Sequence, residues 1–340
     1  MLIHGRLPWP LVLQVLAVAA VVWLFVATWP LWLLVFTALI IAAAILPAAR
    51  LGERYRIPRG VTVLVVYLLA AGIMALMGRL LWPALSEQWR QFLDQLPRLV
   101  DNVKSWLGGL QVLLDRWGAS LPSPPTEGLD SVARTLLTNT FRFTAGAAGV
   151  ALEALAVFVV AAYLVIDARA VGGALLSVLP PDTRPTALHL APAVLNRIGG
   201  YVRGQLVSSL FVGALIAIGL AVLGVRYSLL IGAMAAVFNI VPFVGATVAA
   251  VLAVLAALNE SITLAALTLA VMVGAQTVEG KLLAPHFVGR ATGLHPLAVL
   301  LALLAGAHLA GLLGALVAVP LLAGLWEIVR TLWVDPRRTI

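Results

Sequence analysis

Five polar residues stand inside long apolar stretches or at their edges: Glu153, Asn239, Gln276, Glu279 and His308. At membrane depth such groups are expensive, so they face a bundle interior or a water-filled cavity. Gln276 and Glu279 are three residues apart and therefore share a helix face. There Glu279 can bind a cation or proton while Gln276 hydrogen-bonds a polar solute; the alternative is an interfacial pair anchored to Lys281 or to a neighbouring helix. Asn239 lies just before Pro242, where freed backbone carbonyls gather, a design that coordinates ions or polar solutes. Its competing role is to cap a broken helix. His308 is expected to be a tip residue satisfied by backbone, with a proton relay as the alternative, and Glu153 has no visible partner.

Enzyme chemistry finds no constellation. HExxH, a Walker loop and GxSxG are all absent. The five histidines, His4, His189, His286, His295 and His308, offer no metal-ligand pair at i, i+4, and there is no cysteine. Neither an enzymatic activity nor a cofactor nor a metal is expected.

The elements that hold these residues follow from composition. Of 340 residues, 62% are hydrophobic and 11% charged, with a mean hydropathy of +1.07. Soluble domains carry about 25% charged residues, so the bilayer is the main solvent. The net charge of +8 is not a nucleic-acid footprint, because 20 of the 22 basic residues are Arg scattered between the apolar blocks. Cytoplasmic loops held by positive charge account for it. The first block, 11–29, is too long for a signal core of ~7–15 residues and lacks a cleavage site, so it reads as a retained anchor.

The expected fold is an all-α integral membrane protein with about eight hydrophobic segments: 11–29, 31–49, 61–82, 145–166, 206–223, 229–257, 262–278 and 297–329. The first two, joined at Trp29-Pro30, are expected to form a helical hairpin. The blocks 229–257 and 297–329 exceed the roughly 20 residues a span needs. One is interrupted by Asn239, Pro242 and Gly245, the other by Gly306, Gly311 and Gly314, so each is a broken helix or a re-entrant hairpin.

Loop charge arbitrates. Arg50, Arg54, Arg56 and Arg59 outweigh Glu53, and Arg169, Arg184, Arg197 and Arg203 outweigh Asp167 and Asp182, which places both loops in the cytoplasm. Segment 83–144 balances six basic against six acidic residues and belongs outside. If 229–257 enters and leaves from the outside, Glu260 stays out, the loop with Lys281 and Arg290 returns to the cytoplasm, and Arg226 is the one misplaced charge. The second hairpin then enters from the cytoplasm, giving two units of span plus hairpin from opposite faces: an inverted repeat of the kind secondary transporters use. A plain eight-helix bundle with two kinks is the alternative.

The chain divides into three spans (1–82), an outer amphipathic segment (83–144), a fourth span with an inner amphipathic helix (145–204), a transport core (205–330) and a cytoplasmic tail (331–340). In the outer segment Leu85, Trp89, Phe92, Leu93, Leu96, Val100 and Val103 recur at helical spacing, with a break expected near Pro97. It is expected on the membrane or against a partner subunit of a homo-oligomer. Inside, Leu188, Val194, Leu195, Ile198 and Val202 make a second amphipathic helix, read as a surface helix or a coupling helix.

At these residues the sequence resembles the autoinducer-2 exporter family, the PerM-like permeases. The likeness lies in 200–245 and 278–330: the break NIVPFVG from Asn239 to Gly245, the element EGKLLAP from Glu279 to Pro285, Gly289, the His295-Pro296 pair, Gly306, and the spacing of Gly311, Gly314 and Pro320. Lys281 stands where the family often has Asn, and Phe243 where it often has Tyr. The resemblance implies a multi-pass inner-membrane transporter with both termini cytoplasmic. Family members are linked to export of a small furanone-type signal or to sodium/proton exchange. A membrane scaffold that transports nothing is the reading from another class.

Overall fold

The structure, a computed structural model, describes residues 9–117, 149, 151–242, 244–283 and 294–334. Among these there is no strand. The helices are α1 (Trp9–Ala27), α2 (Trp29–Arg54), α3 (Arg59–Arg116), α4 (Ala151–Ile166), α5 (Ala168–Val178), α6 (Arg184–Val222), α7 (Ser228–Phe238), α8 (Val244–Leu258), α9 (Ile262–Val278) and α10 (Pro296–Val329). Five are long and apolar enough to cross a bilayer, or six if α4 and α5, bent by 79° against each other, form one broken span. The other apolar segments are shorter helices, two of them folded into a hairpin.

That hairpin is α7 with α8. Their 11 and 15 residues rise about 16 and 22 Å, short of the ~30 Å hydrocarbon core. Arg226, just before α7, pairs with Glu260, just after α8, at 3.0 Å. Both ends therefore open on the same side, and the charge that looked misplaced has its partner. The second long block folds back too. At Ala310 (φ −143°) and Gly311 (φ +60°, ψ −143°) the chain of α10 leaves helical geometry. Gly306 and Gly314, ~12 Å apart in a continuous helix, instead touch: a Cβ on Gly306 would lie 2.4 Å from the Gly314 carbonyl oxygen. Arms 296–309 and 312–329 are thus antiparallel. Only a residue without a Cβ takes the Gly311 conformation without strain.

α6 is the axis on which both hairpins pack. Gly213 of α6 and Gly232 of α7 meet backbone to backbone, where a Cβ on either would approach the other's carbonyl oxygen to 2.6 Å. Each is followed four residues on by Ala217 or Ala236, the small-xxx-small pattern that lets membrane helices approach closely. Lipid supplies no hydrophobic drive between helices, so dispersion at such contacts holds the pair. On the C-terminal half of α6 Val212, Ile216 and Leu220 are fully buried among α7, α8 and α9. The N-terminal half of α6 packs on α2 and α10: Gly199 lies against the Ala43 carbonyl, Arg203 donates to the Ala44 carbonyl at 3.0 Å, and Arg197 pairs with Glu327.

Three expectations are corrected. The helix expected to break near Pro97 runs unbroken through Pro83 and Pro97, 58 residues and about 87 Å long. Its outer part lies on its own chain, with Phe92, Leu96 and Leu99 buried beside Tyr227 and Leu230, and Gln88 accepting from the Leu230 N–H at 2.9 Å. The inner amphipathic stretch is the first half of α6, and its Ile198 is buried against Ile40, Ala43 and Val317 instead of resting on a surface. α1 does not lie along α2: side chains 13–27 are exposed, and contact centres on the junction, where Phe25 meets Trp29 and Trp32.

Candidate transport site

α7 ends at Asn239 because its hydrogen-bond ladder runs out. The Asn239 N–H reaches Ala235, but those of Ile240 and Val241 shift to carbonyls three residues back, and Pro242 has no N–H to offer. The Asn239 carbonyl, freed from the helix, accepts from Nε2 of Gln205 on α6 at 2.6 Å. The Asn239 side chain, 1% exposed, turns the other way and donates through Nδ2 to Oε1 of Glu279 at 2.6 Å. One asparagine thus joins three elements: the tip of the first hairpin, α6, and the end of α9.

Gly245 makes this possible from the other arm. A Cβ there would stand 2.2 Å from the Asn239 nitrogen and 2.5 Å from its Cα, so the first turn of α8 rests directly on the Asn239 backbone. Val241, at the tip, is buried with Tyr201 of α6 and with Leu303, Ala315 and Val319 of the second hairpin. The two hairpins meet there, beside the polar cluster.

Glu279 follows α9, whose core seam runs through Thr268, Met272 and Ala275 and reaches Glu279 four residues later. It opens a wide π-type turn over 279–283, a local form frequent at functional sites. Its carboxylate is half-buried, and a hydrogen bond to a charged group of this kind contributes about 1.5–3 kcal/mol. An oxygen-rich cluster of carboxylate, amide and freed carbonyl can hold a small cation or proton, or accept hydrogen bonds from a polar solute. Ser208 and Ser209, one turn further along α6, are buried too, and the Ser209 hydroxyl has no partner among the described residues.

Of the candidates, Asn239 and Glu279 are brought together, with Pro242 and Gly245 shaping the break. Gln276 is exposed; being one residue past Ala275, it points about 100° away from the seam. His308 is exposed near the tip of the second hairpin, and Glu153 is exposed on α4. His295 caps α10, its Nδ1 accepting from the Leu297 N–H at 3.3 Å, with Pro296 at the first helical position. Gly306, Gly311 and Gly314 build the second hairpin, and Pro320 is buried in its returning arm. Pro285 and Gly289 lie outside the described residues. Gln205 escaped the sequence reading, although Gln205, Ser208 and Ser209 form a polar stripe at i, i+3, i+4 in an otherwise apolar helix. Among the described residues no three His, Asp or Glu side chains are placed to hold a metal ion.

The chain is 26% identical to the candidate transport protein YueF of Bacillus subtilis, over 82% of this chain and 77% of that one. It is 28% identical to a second from that organism, YrrI, over 86% and 85% of the two chains. A candidate transport protein of Mycobacterium tuberculosis, MT0215, shares 29% identity over 93% and 86%. The sequence model described as AI-2E family transporter matches residues 11–333, nearly the whole length, and the chain belongs to that family of membrane transporters.

Proposed function

We propose that the chain is a secondary transporter that moves a small polar solute, such as an autoinducer-2-like signal, or a monovalent cation across the inner membrane, with Glu279 as its coupling carboxylate. The observation that carries this is the Asn239–Glu279 hydrogen bond at the point where the first hairpin breaks. A half-buried carboxylate hydrogen-bonded to the side chain that ends a broken helix has no structural need to be ionisable, since packing alone is served by an apolar residue. The same group favours cation or proton coupling over passive solute flow, with sodium/proton exchange as the alternative reading. The arginine-rich end with Arg50, Arg59 and Arg197 is the cytoplasmic one, the termini lie on that side, and the chain works as a homo-oligomer.

Counterflow of labelled sodium, or of the labelled signal, in proteoliposomes tests the reading. Glu279→Gln keeps the shape and the ability to accept from Asn239 but removes the charge. Its folded yield is expected to match the parent while ion- or pH-dependent flux falls at least tenfold, ~1.4 kcal/mol of coupling. Flux at the parent level would reduce Glu279 to an interfacial anchor.

A further inference from the structure

A crevice of about 440 Å3 opens between α2, α4, α5 and α6, at the arginine-rich end and apart from the transport site. Every residue that lines it is apolar, Leu46, Val165, Gly172, Ala191 and Leu195 among them. Its size is that of a small-molecule site, and apolar walls at a bilayer's edge favour a hydrocarbon chain over water.

The rim has the opposite character. Arg169 directly follows the lining residue Ala168, and its side chain is 85% exposed. Arg184 stands one turn before the lining Ala187 and reaches the Ser177 and Leu179 carbonyls at the end of α5. Arg50, one turn beyond Leu46, bonds to Asn196 at 3.0 Å, beside the lining Leu195. The acidic groups of this end are largely committed: Glu53 pairs with Arg59 at 2.7 Å and more loosely with Arg169, and Glu327 pairs with Arg197, which leaves Asp167 and Asp182. Exposed pairs such as Arg169–Glu53 are worth about 0–1 kcal/mol, so a phosphate competes for the guanidinium readily. Guanidinium groups grip phosphate oxygens in pairs, and basic pockets between helices on the cytoplasmic side bind anionic lipid headgroups.

We propose that this crevice binds an anionic phospholipid, with one acyl chain between α2, α5 and α6 and its phosphate on Arg169 and Arg184. The site shares no residue with Asn239, Gln205 or Glu279, so it stands independently of the transport reading. The side walls come from α5, which is bent off α4, and from the first half of α6; a bound lipid therefore ties the two together.

Native mass spectrometry of the full chain, released from nanodiscs of phosphatidylcholine with a minority of phosphatidylglycerol, reads the lipid retained. Phosphatidylglycerol should be enriched about tenfold over its share of the bilayer, or ~1.4 kcal/mol. Gly172→Leu adds a side chain to a residue that lines the crevice, at a position where a Cβ meets no heavy atom within 4 Å. That variant, and separately Arg169→Gln with Arg184→Gln, should lose the enrichment while unfolding in lipid-free detergent at the parent temperature. Ala191→Leu repeats the filling from α6 should Gly172→Leu fail to fold. Equal retention of both lipids by the parent, or enrichment that survives filling, overturns the proposal. So does a filled variant that changes only the mass of the assembly, which would make this face a contact between copies of the chain.

Discussion

Gly245→Ala tests whether the break at Asn239 is a close backbone contact or a loose kink. The added methyl would meet the Asn239 nitrogen at 2.2 Å, its Cα at 2.5 Å and the Phe238 carbonyl carbon at 2.6 Å, all backbone atoms that cannot rotate away. Restoring ordinary contact near 3.5 Å requires α8 or the tip to retreat by about 1 Å. Overpacking of that kind costs about 1–3 kcal/mol. If the tip moves, the 2.6 Å bond from Asn239 to Glu279 lengthens to about 3.6 Å, beyond hydrogen-bonding range. Gly274→Ala, on an open face of α9 with nothing within 4 Å, is the control and should be neutral or gain up to ~1 kcal/mol of helix propensity. At about 2–3 °C per kcal/mol, Gly245→Ala should lower the unfolding temperature in detergent by about 2–9 °C. Proteoliposome flux per folded molecule should fall further than stability does, because the charge-bearing contact is displaced first. If the two variants match in both unfolding temperature and flux, α8 does not rest on Asn239 and the hairpin geometry is wrong.

Gln205→Leu strands the buried Asn239 carbonyl and should cost about 1–3 kcal/mol in thermal unfolding, whereas Gln205→Glu, which puts a second carboxylate against the asparagine that Glu279 also bonds, should shift the pH dependence of flux; an unchanged unfolding temperature in the first case would remove Gln205 from the site. Single cysteines test topology without background, since the chain has none of its own: Ser261→Cys should be labelled from outside intact cells and Arg290→Cys only after permeabilisation, and labelling of Arg290→Cys from outside would restore a fully crossing α7–α8 block.

Much of the core was legible because its signals are local. Pro242 removes a donor, Gly311 adopts a left-handed φ, and both interrupt apolar runs too long for one span. Charge balance around Glu260 and Lys281 then separates hairpins from crossings. What failed was anything decided across elements. Pro97 looked like a stop, yet Leu96 and Leu99 on either side of it are buried against α7 and α8, and that packing carries the helix past the missing donor. Gln276 looked like the partner of Glu279 by spacing alone, but which of two neighbouring residues faces inward depends on where the seam of α9 lies. The buried stripe Thr268, Met272, Ala275 leads to Glu279 and leaves Gln276 on an exposed face. Gln205 was overlooked because it stands just before the apolar block 206–223, where a polar residue is ordinary.

The position of Gln205 along α6 explains why the polar cluster sits where it does. Below it, Tyr201, Ile198 and Gly199 belong to packing against α2 and α10; above it, Val212, Ile216 and Leu220 belong to packing against α7, α8 and α9. α6 therefore crosses from one packed unit to another, and Gln205, Ser208 and Ser209 occupy the step between them. Apolar residues at that step would fuse the two units into one close-packed core, in which small displacements are resisted everywhere. Directional hydrogen bonds instead hold the seam at particular points: Gln205 to the Asn239 carbonyl, and Asn239 to Glu279. One of those points carries a carboxylate, so the charge of Glu279 bears directly on the contact between the first hairpin and α9. A kink that served packing alone would not need the amide–carboxylate bond.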